Sequence, residues 1–179
     1  MPFDHRRILV AGVTGVGKTT LAARVGRLLD VPHVEIDDLH WGPGWAPRPD
    51  FLDEVRKLAS SGAWVTEWQY SDARPILLDR AQALVWIDLP FRVQYWRLIK
   101  RTVRRRVRRV ALWRAGMVEP PLWTIFTNPE HILRWGWRTR NKYRREFGDV
   151  LSELAARDDF EFVHLRSVRE VDRWVASLR

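Results

Sequence analysis

Gly12-Val13-Thr14-Gly15-Val16-Gly17-Lys18-Thr19 sets three glycines, a lysine and a hydroxyl in the spacing G-x-x-x-x-G-K-[ST]. The spacing answers a chemical need. Glycines let the backbone curl into a concave nest whose N–H groups point at phosphate oxygens. A helix that begins at the end of the loop adds its positive dipole end. The Lys18 ammonium is placed for the β- and γ-phosphates, and the Thr19 hydroxyl is a Mg²⁺ ligand. Thr20 follows in the first helical turn and is counted with the loop as a cofactor-binding position. The competing reading is a glycine turn with an incidental lysine. A chance match in a chain of this length is on the order of 1%. A strand before the loop and a helix after it, both readable here, favour the phosphate loop.

Carboxylates come next. Glu35-Ile36-Asp37-Asp38-Leu39-His40-Trp41 closes a strand candidate, and alternation puts Glu35 and Asp37 on one face. An acid where the chain leaves the sheet suits acceptance of a proton from a substrate hydroxyl, or water-mediated Mg²⁺ binding. Asp38 reads equally as a turn cap. His40, Trp41 and Trp45 lie in a loop stiffened by Pro43, Pro47 and Pro49. They are read either as an acceptor-site wall or as core packing. The histidines show no metal-ligand spacing, so no zinc site is expected.

A basic run holds Arg97, Lys100, Arg101, Arg104, Arg105, Arg106, Arg108 and Arg109. Arg97, Arg101, Arg104, Arg105 and Arg108 recur at helical spacings of three and four. Guanidinium is planar, always charged and pairs bidentately with phosphate. The alternative is a solvated basic face. Asn141-Lys142-Tyr143-Arg144 lacks the aspartate of a guanine motif, so ATP is expected rather than GTP.

Positioning these groups requires alternating strands and helices. Strands are expected at Arg7 to Gly12, His33 to Asp37, Ala63 to Trp68, Ala83 to Leu89 and Phe160 to Leu165. Helices are expected at Lys18 to Leu29, Phe51 to Ser60, Asp72 to Ala81 and Phe91 to about Val110. Two further helices cover His131 to Arg157, in two pieces meeting near Gly136, and Val168 to Leu178, opened by a Ser167–Glu170 capping box. The pattern predicts an α/β fold, a parallel sheet with helices on both faces and ligands at the carboxyl ends of the strands.

The chain has 179 residues, read as one domain over 1–179. It has no cysteine, which excludes disulfides and thiolate metal sites and fits a reducing compartment; a cytoplasmic location is expected. No apolar run approaches the ~20 residues of a membrane span, so no membrane partner is expected. The net charge of +9 suggests an anionic partner: nucleotide, phosphorylated substrate or nucleic acid. Oligomeric state is not readable.

The phosphate loop, the Asp37-Asp38-Leu39-His40-Trp41 segment, the Trp64-Val65-Thr66-Glu67 and Trp86-Ile87-Asp88-Leu89-Pro90 strands and the Leu165-Arg166-Ser167 ending together resemble the adenylate-kinase-like P-loop proteins. The subgroup most similar is the topology modulation, or FlaR-like, proteins. The resemblance implies a P-loop NTPase fold of five parallel strands in order 2-3-1-4-5, with an arginine-rich helical lid over roughly 97–135. It also implies a kinase using ATP and Mg²⁺ on a small-molecule or nucleotide acceptor. Asp37 matches the acid that contacts the acceptor hydroxyl in shikimate- and gluconate-kinase branches. Glu67 matches the third-strand acid that helps hold Mg²⁺, and it is assigned to metal and substrate alike. Trp68 replaces the glycine that follows that acid, which leaves the acceptor-site shape open. Arg74 lies where monophosphate kinases hold the acceptor phosphate, or is a surface arginine at a helix start. Asp88 is a second Mg²⁺ acid or a helix cap. Lid arginines would stabilise transferring charge, with Arg101 and Arg105 the chosen pair beside Lys18 and Asp37 as catalytic residues. Arg166 sits where adenine is seated. The alternative function is a nucleic-acid-binding regulator switched by ATP, although no reader module is recognisable.

Overall fold

In the computed structural model, residues 3–112, 116–154, 157 and 159–178 are described. Alternating side chains in the strands β1 (Arg7–Ala11), β2 (Trp64–Glu67), β3 (Ala83–Ile87) and β4 (Glu161–Leu165) split the core in two. Leu9, Ala11, Trp64, Leu84 and Trp86 face one side, and Ile8, Val10, Val65, Val85 and Ile87 face the other. Strands β1 and β3 are buried on both faces, which explains why they read as continuous apolar runs. All pairings are parallel, with Val10 beside Glu67 and Val85.

Helices cover both faces. Helix α1 (Lys18–Leu29) presents Leu21, Ala22 and Val25 to the second face, joined by Val175 of α8 (Val168–Ala176). The first face is covered by α3 (Phe51–Ser60), α4 (Ala73–Arg80) and α7 (Lys142–Leu154), through Phe51, Val55, Leu77 and Phe147. The capping box expected before α8 forms: the Glu170 amide donates to Ser167 Oγ at 3.2 Å, and the Arg166 amide donates to the Glu170 carboxylate at 2.8 Å.

Three expectations are corrected. Among the described residues the sheet has four strands in the order β2-β1-β3-β4, not five in the order 2-3-1-4-5. The run expected as a second strand makes a single parallel bridge, His33 to Val65, before turning into a short helix α2 (Ile36–His40). The Ile36 amide, which a strand would offer to a neighbouring carbonyl, donates instead to the Glu67 carboxylate at 3.0 Å. Asp37 and Asp38 then fall in the first helical turn, where negative charge is favoured. Secondly, the break between the helices after His131 lies at residues 139–141, between α6 (Ile132–Arg138) and α7, not at Gly136. Gly136 lies inside α6, where a side chain would collide with Leu98 Cδ2 of α5 (Phe91–Val107) and touch Thr14. Thirdly, α5 stops at Val107, not near Val110.

Candidate active site

The loop between β1 and α1 has the conformation its glycines require. Gly12, Gly15 and Gly17 have φ of 148°, 82° and 107°, a region that favours glycine. Two of them are also sterically closed. A Cβ on Gly12 would lie 2.8 Å from the Ile87 carbonyl oxygen, and one on Gly15 would lie 2.7 Å from Leu98 Cβ. Helix α5 therefore rests directly on the loop. Val16 is buried and donates its amide to the Val13 carbonyl at 3.3 Å, closing the turn.

Lys18 opens α1 and bends back over the loop, its Nζ 3.4 Å from the Val13 carbonyl oxygen. Burial pushes its ammonium down to about 8, against the pull of Asp37 and Glu67; Arg101 and Arg74 add to the lowering. Four charged groups from four other elements thus act on one amine: Asp37 from α2, Glu67 from β2, Arg74 from α4 and Arg101 from α5. Thr19 and Thr20 stay exposed on the first turn of α1.

Asp37 is half-buried, and its Oδ1 accepts from Tyr70 Oη and from Gln69 Nε2, both at 2.6 Å. Burial holds its carboxyl above the usual range, although the Tyr70 hydroxyl and Lys18 work in the opposite direction. Glu67, at 2% exposed, ends β2. Burial acts to raise its carboxyl, but hydrogen bonds from His33 (3.2 Å) and the Ile36 amide, with the Thr19 hydroxyl assisting, outweigh it and hold it low. Glu67 is therefore an ionised strut that ties the α2 turn to the sheet.

The arginines divide into two sets. Arg97 donates to the Val16 carbonyl at 3.4 Å, and Arg101 Nη2 lies 3.5 Å from Thr14 Oγ1. The buried Nε of Arg101 has no hydrogen-bond partner among the described residues. Burial, then Arg105, lowers Arg101, while Glu119 and Asp37 raise it. Arg105 pairs with Glu119 at 3.6 Å. Arg104 and Arg108, expected on the same face, line a surface depression with Trp96 on the other side of α5. Arg74 is pinned between Trp68 and Tyr143, 4.5 and 5.0 Å from their ring centres, and donates to Glu146 at 2.7 Å. Its buried Nε is also without a partner among the described residues.

The aromatic residues after α2 form a wall. His40 packs on Trp41, Phe51 and Tyr70, with ring centres 4.5, 4.7 and 4.0 Å apart, and burial lowers its imidazole. Trp41 meets Trp45 edge-on at 5.6 Å. Trp68 does not enter this space. It is buried against Tyr143 and Phe147, and its carbonyl accepts from Tyr143 Oη at 2.8 Å. Asp88 is held by Arg144 (3.0 Å) and His164 (3.3 Å) near the exit of β4. The Arg166 side chain is exposed beyond β4, with its Nε 3.4 Å from His164 Nδ1.

Sequence reasoning missed Tyr70, Gln69 and His33, and grouped Arg97 with the lid arginines without singling it out. Tyr70 has φ of 61°, a left-handed turn that aims its ring back under α2; no sequence signal marks it. Arg97 was within the basic run and precedes Arg101 by one helical turn, a spacing that could have singled it out.

No protein-family model matches the chain, and no curated protein matches it significantly. Solved structures match along nearly its whole length. A gluconokinase from Sinorhizobium meliloti is 18% identical, with 99% of this chain and 95% of that one covered at a TM-score of 0.52. A shikimate kinase from Bacteroides thetaiotaomicron is 14% identical, with 97% and 96% covered at 0.51. A shikimate kinase from Acinetobacter baumannii, solved with shikimate, is 18% identical, with 94% and 88% covered at 0.51. At such identities the likeness establishes architecture: the chain has the α/β P-loop fold seen in these kinases.

Proposed function

We propose that the protein is a phosphotransferase that moves the γ-phosphoryl group of ATP to a hydroxyl or phosphate of a small acceptor held beside Asp37. The observation that carries this reading is the glycine loop itself, with Gly12, Gly15 and Gly17 in left-handed conformations, Lys18 folded back over it and Arg101 Nη2 3.5 Å from Thr14 Oγ1. Phosphoryl transfer needs mainly positioning and compensation of charge. The loop amides and Lys18 bind the phosphates, and Arg101, which reaches Thr14 of the loop, supplies positive charge beside them. Asp37 orients the acceptor hydroxyl and takes its proton; a carboxyl raised by burial is the better base.

The residues present fit Mg²⁺. Among the described residues no cluster of three His, Asp or Glu side chains could hold a metal. Thr19 and Glu67 are adjacent, and Mg²⁺ commonly binds through one or two protein groups with phosphates and waters completing its shell. When bound, Mg²⁺ supplies neutralisation of phosphate charge.

The kinase-fold likeness supports a hydroxylated small molecule as acceptor, and the narrower FlaR-like resemblance does not identify it. Arg105, paired with Glu119, stands as a lid residue on this reading, and Arg166 as a neighbour of the base. The test is ADP release by purified protein over a panel of nucleoside monophosphates, sugars and hydroxy acids. Acceptor-dependent release, abolished in Lys18→Ala with the fold intact by circular dichroism, is the expected result. Full activity in that variant overturns the assignment.

A further inference from the structure

We propose that the solvent face of α5 is a docking surface for an anionic lipid bilayer. The helix is two-sided in an unusual sense. Its inner face, with Gln94, Leu98 and Thr102 buried, lies toward the phosphate loop. Its outer face is apolar too: Trp96 is 57% and Val107 73% exposed, with Val93 and Val103 also open. Positions 96, 103 and 107 fall on one stripe at helical spacing. Trp96, Ile99, Val103 and Val107 form the floor of a shallow depression of about 380 Å³, rimmed by Lys100 and Arg104. Lys100 Nζ sits 5.0 Å from the Trp96 ring centre.

Charge selects the occupant. From Phe91 to Val110 the chain has no Asp or Glu, and the apolar stripe is flanked by Arg92, Lys100 and Arg104. A second copy meeting this face with its own would bring like charges together. A peptide helix needs a groove with two walls, whereas every residue lining this depression belongs to α5 or its C-cap. Single-stranded nucleic acid needs successive aromatic platforms, and valines give none. A bilayer interface accepts this pattern: Trp and valine enter the headgroup–acyl boundary while Lys and Arg reach anionic headgroups. The expectation of no membrane partner rested on the absence of a spanning segment and did not address a helix lying on the surface. The proposal does not rest on the phosphotransferase reading.

The experiment is co-sedimentation of the full chain with vesicles of phosphatidylcholine, alone or mixed with phosphatidylglycerol, at low and high salt. The expected result is binding to the anionic vesicles only, weakened by salt. Trp96→Ser/Val107→Ser should lower partitioning at least tenfold, and Lys100→Gln by about fivefold. Nucleotide affinity, measured on the same samples, should be unchanged and reports an intact fold. No binding of the wild type to anionic vesicles at low salt overturns the proposal, as does undiminished binding by the double variant. Loss of self-association or of oligonucleotide binding in that variant, without loss of vesicle binding, assigns the face to another partner and also overturns it.

Discussion

The ammonium of Lys18, held down to about 8 by burial, makes nucleotide affinity depend on pH in a range where an ordinary lysine would be silent. The phosphates bind the charged form, and in the complex their negative charge keeps Lys18 protonated. Affinity should therefore be near its maximum a unit or more below pH 8 and fall as pH rises through 8. Between pH 7.5 and 9 the charged fraction of an amine titrating near 8 drops so that the dissociation constant rises about eightfold. The same step for an unperturbed lysine changes affinity by only a few per cent. The phosphates themselves are almost fully ionised throughout, so they add little to the trend. Isothermal titration with a non-hydrolysable ATP analogue, at fixed ionic strength, reads the change directly. Lys18→Arg, which stays charged, should flatten the profile. A wild-type change below twofold would refute the reasoning. The free protein moves in the opposite sense. Because the folded pKa lies below the unfolded value, the unfolded chain binds more protons between about 8 and 10.5, and stability rises with pH through that window.

Other outcomes follow from the same contacts. Gly15→Ala places a methyl 2.7 Å from Leu98 Cβ at a φ of 82°; it should cost about 1–3 kcal/mol of stability in urea unfolding and weaken nucleotide binding by lifting α5 from the loop. Tyr70→Phe removes a hydroxyl that donates to Asp37 and helps hold its carboxyl down. The acidic limb of the rate profile should move to higher pH, with a larger loss of kcat/KM at pH 6 than at pH 8. An unmoved limb would separate Asp37 from the proton transfer.

The phosphate loop was legible because it is local. Eight consecutive residues, a strand before and a helix after them, decide the geometry of Gly12, Gly15 and Gly17. Helix α3 was legible to the residue, since Ser61-Gly62 stops an amphipathic run. The strand expected at His33 to Asp37 was not, because its fate depends on a carboxylate 31 residues away: Glu67 takes the Ile36 amide out of any ladder. Trp68 shows the same limit. As a replacement for glycine it put the acceptor space in question, yet Tyr143 and Phe147, from a helix far along the chain, draw it into the core. The arginine run was visible, but helical spacing alone grouped Arg97, Arg101, Arg104, Arg105 and Arg108. Only the seat of α5 on the loop separates Arg97 and Arg101, which reach it, from Arg105, held by Glu119.

The proposed chemistry makes Asp37 necessary for transfer and dispensable for holding the nucleotide. Asp37→Asn keeps the shape and can still accept from Tyr70 while losing the base. The deciding measurement is acceptor-dependent ADP release by this variant, beside its nucleotide affinity. The account predicts a loss of turnover of about a hundredfold or more with affinity within a few-fold of wild type. Turnover retained at the wild-type rate would contradict it.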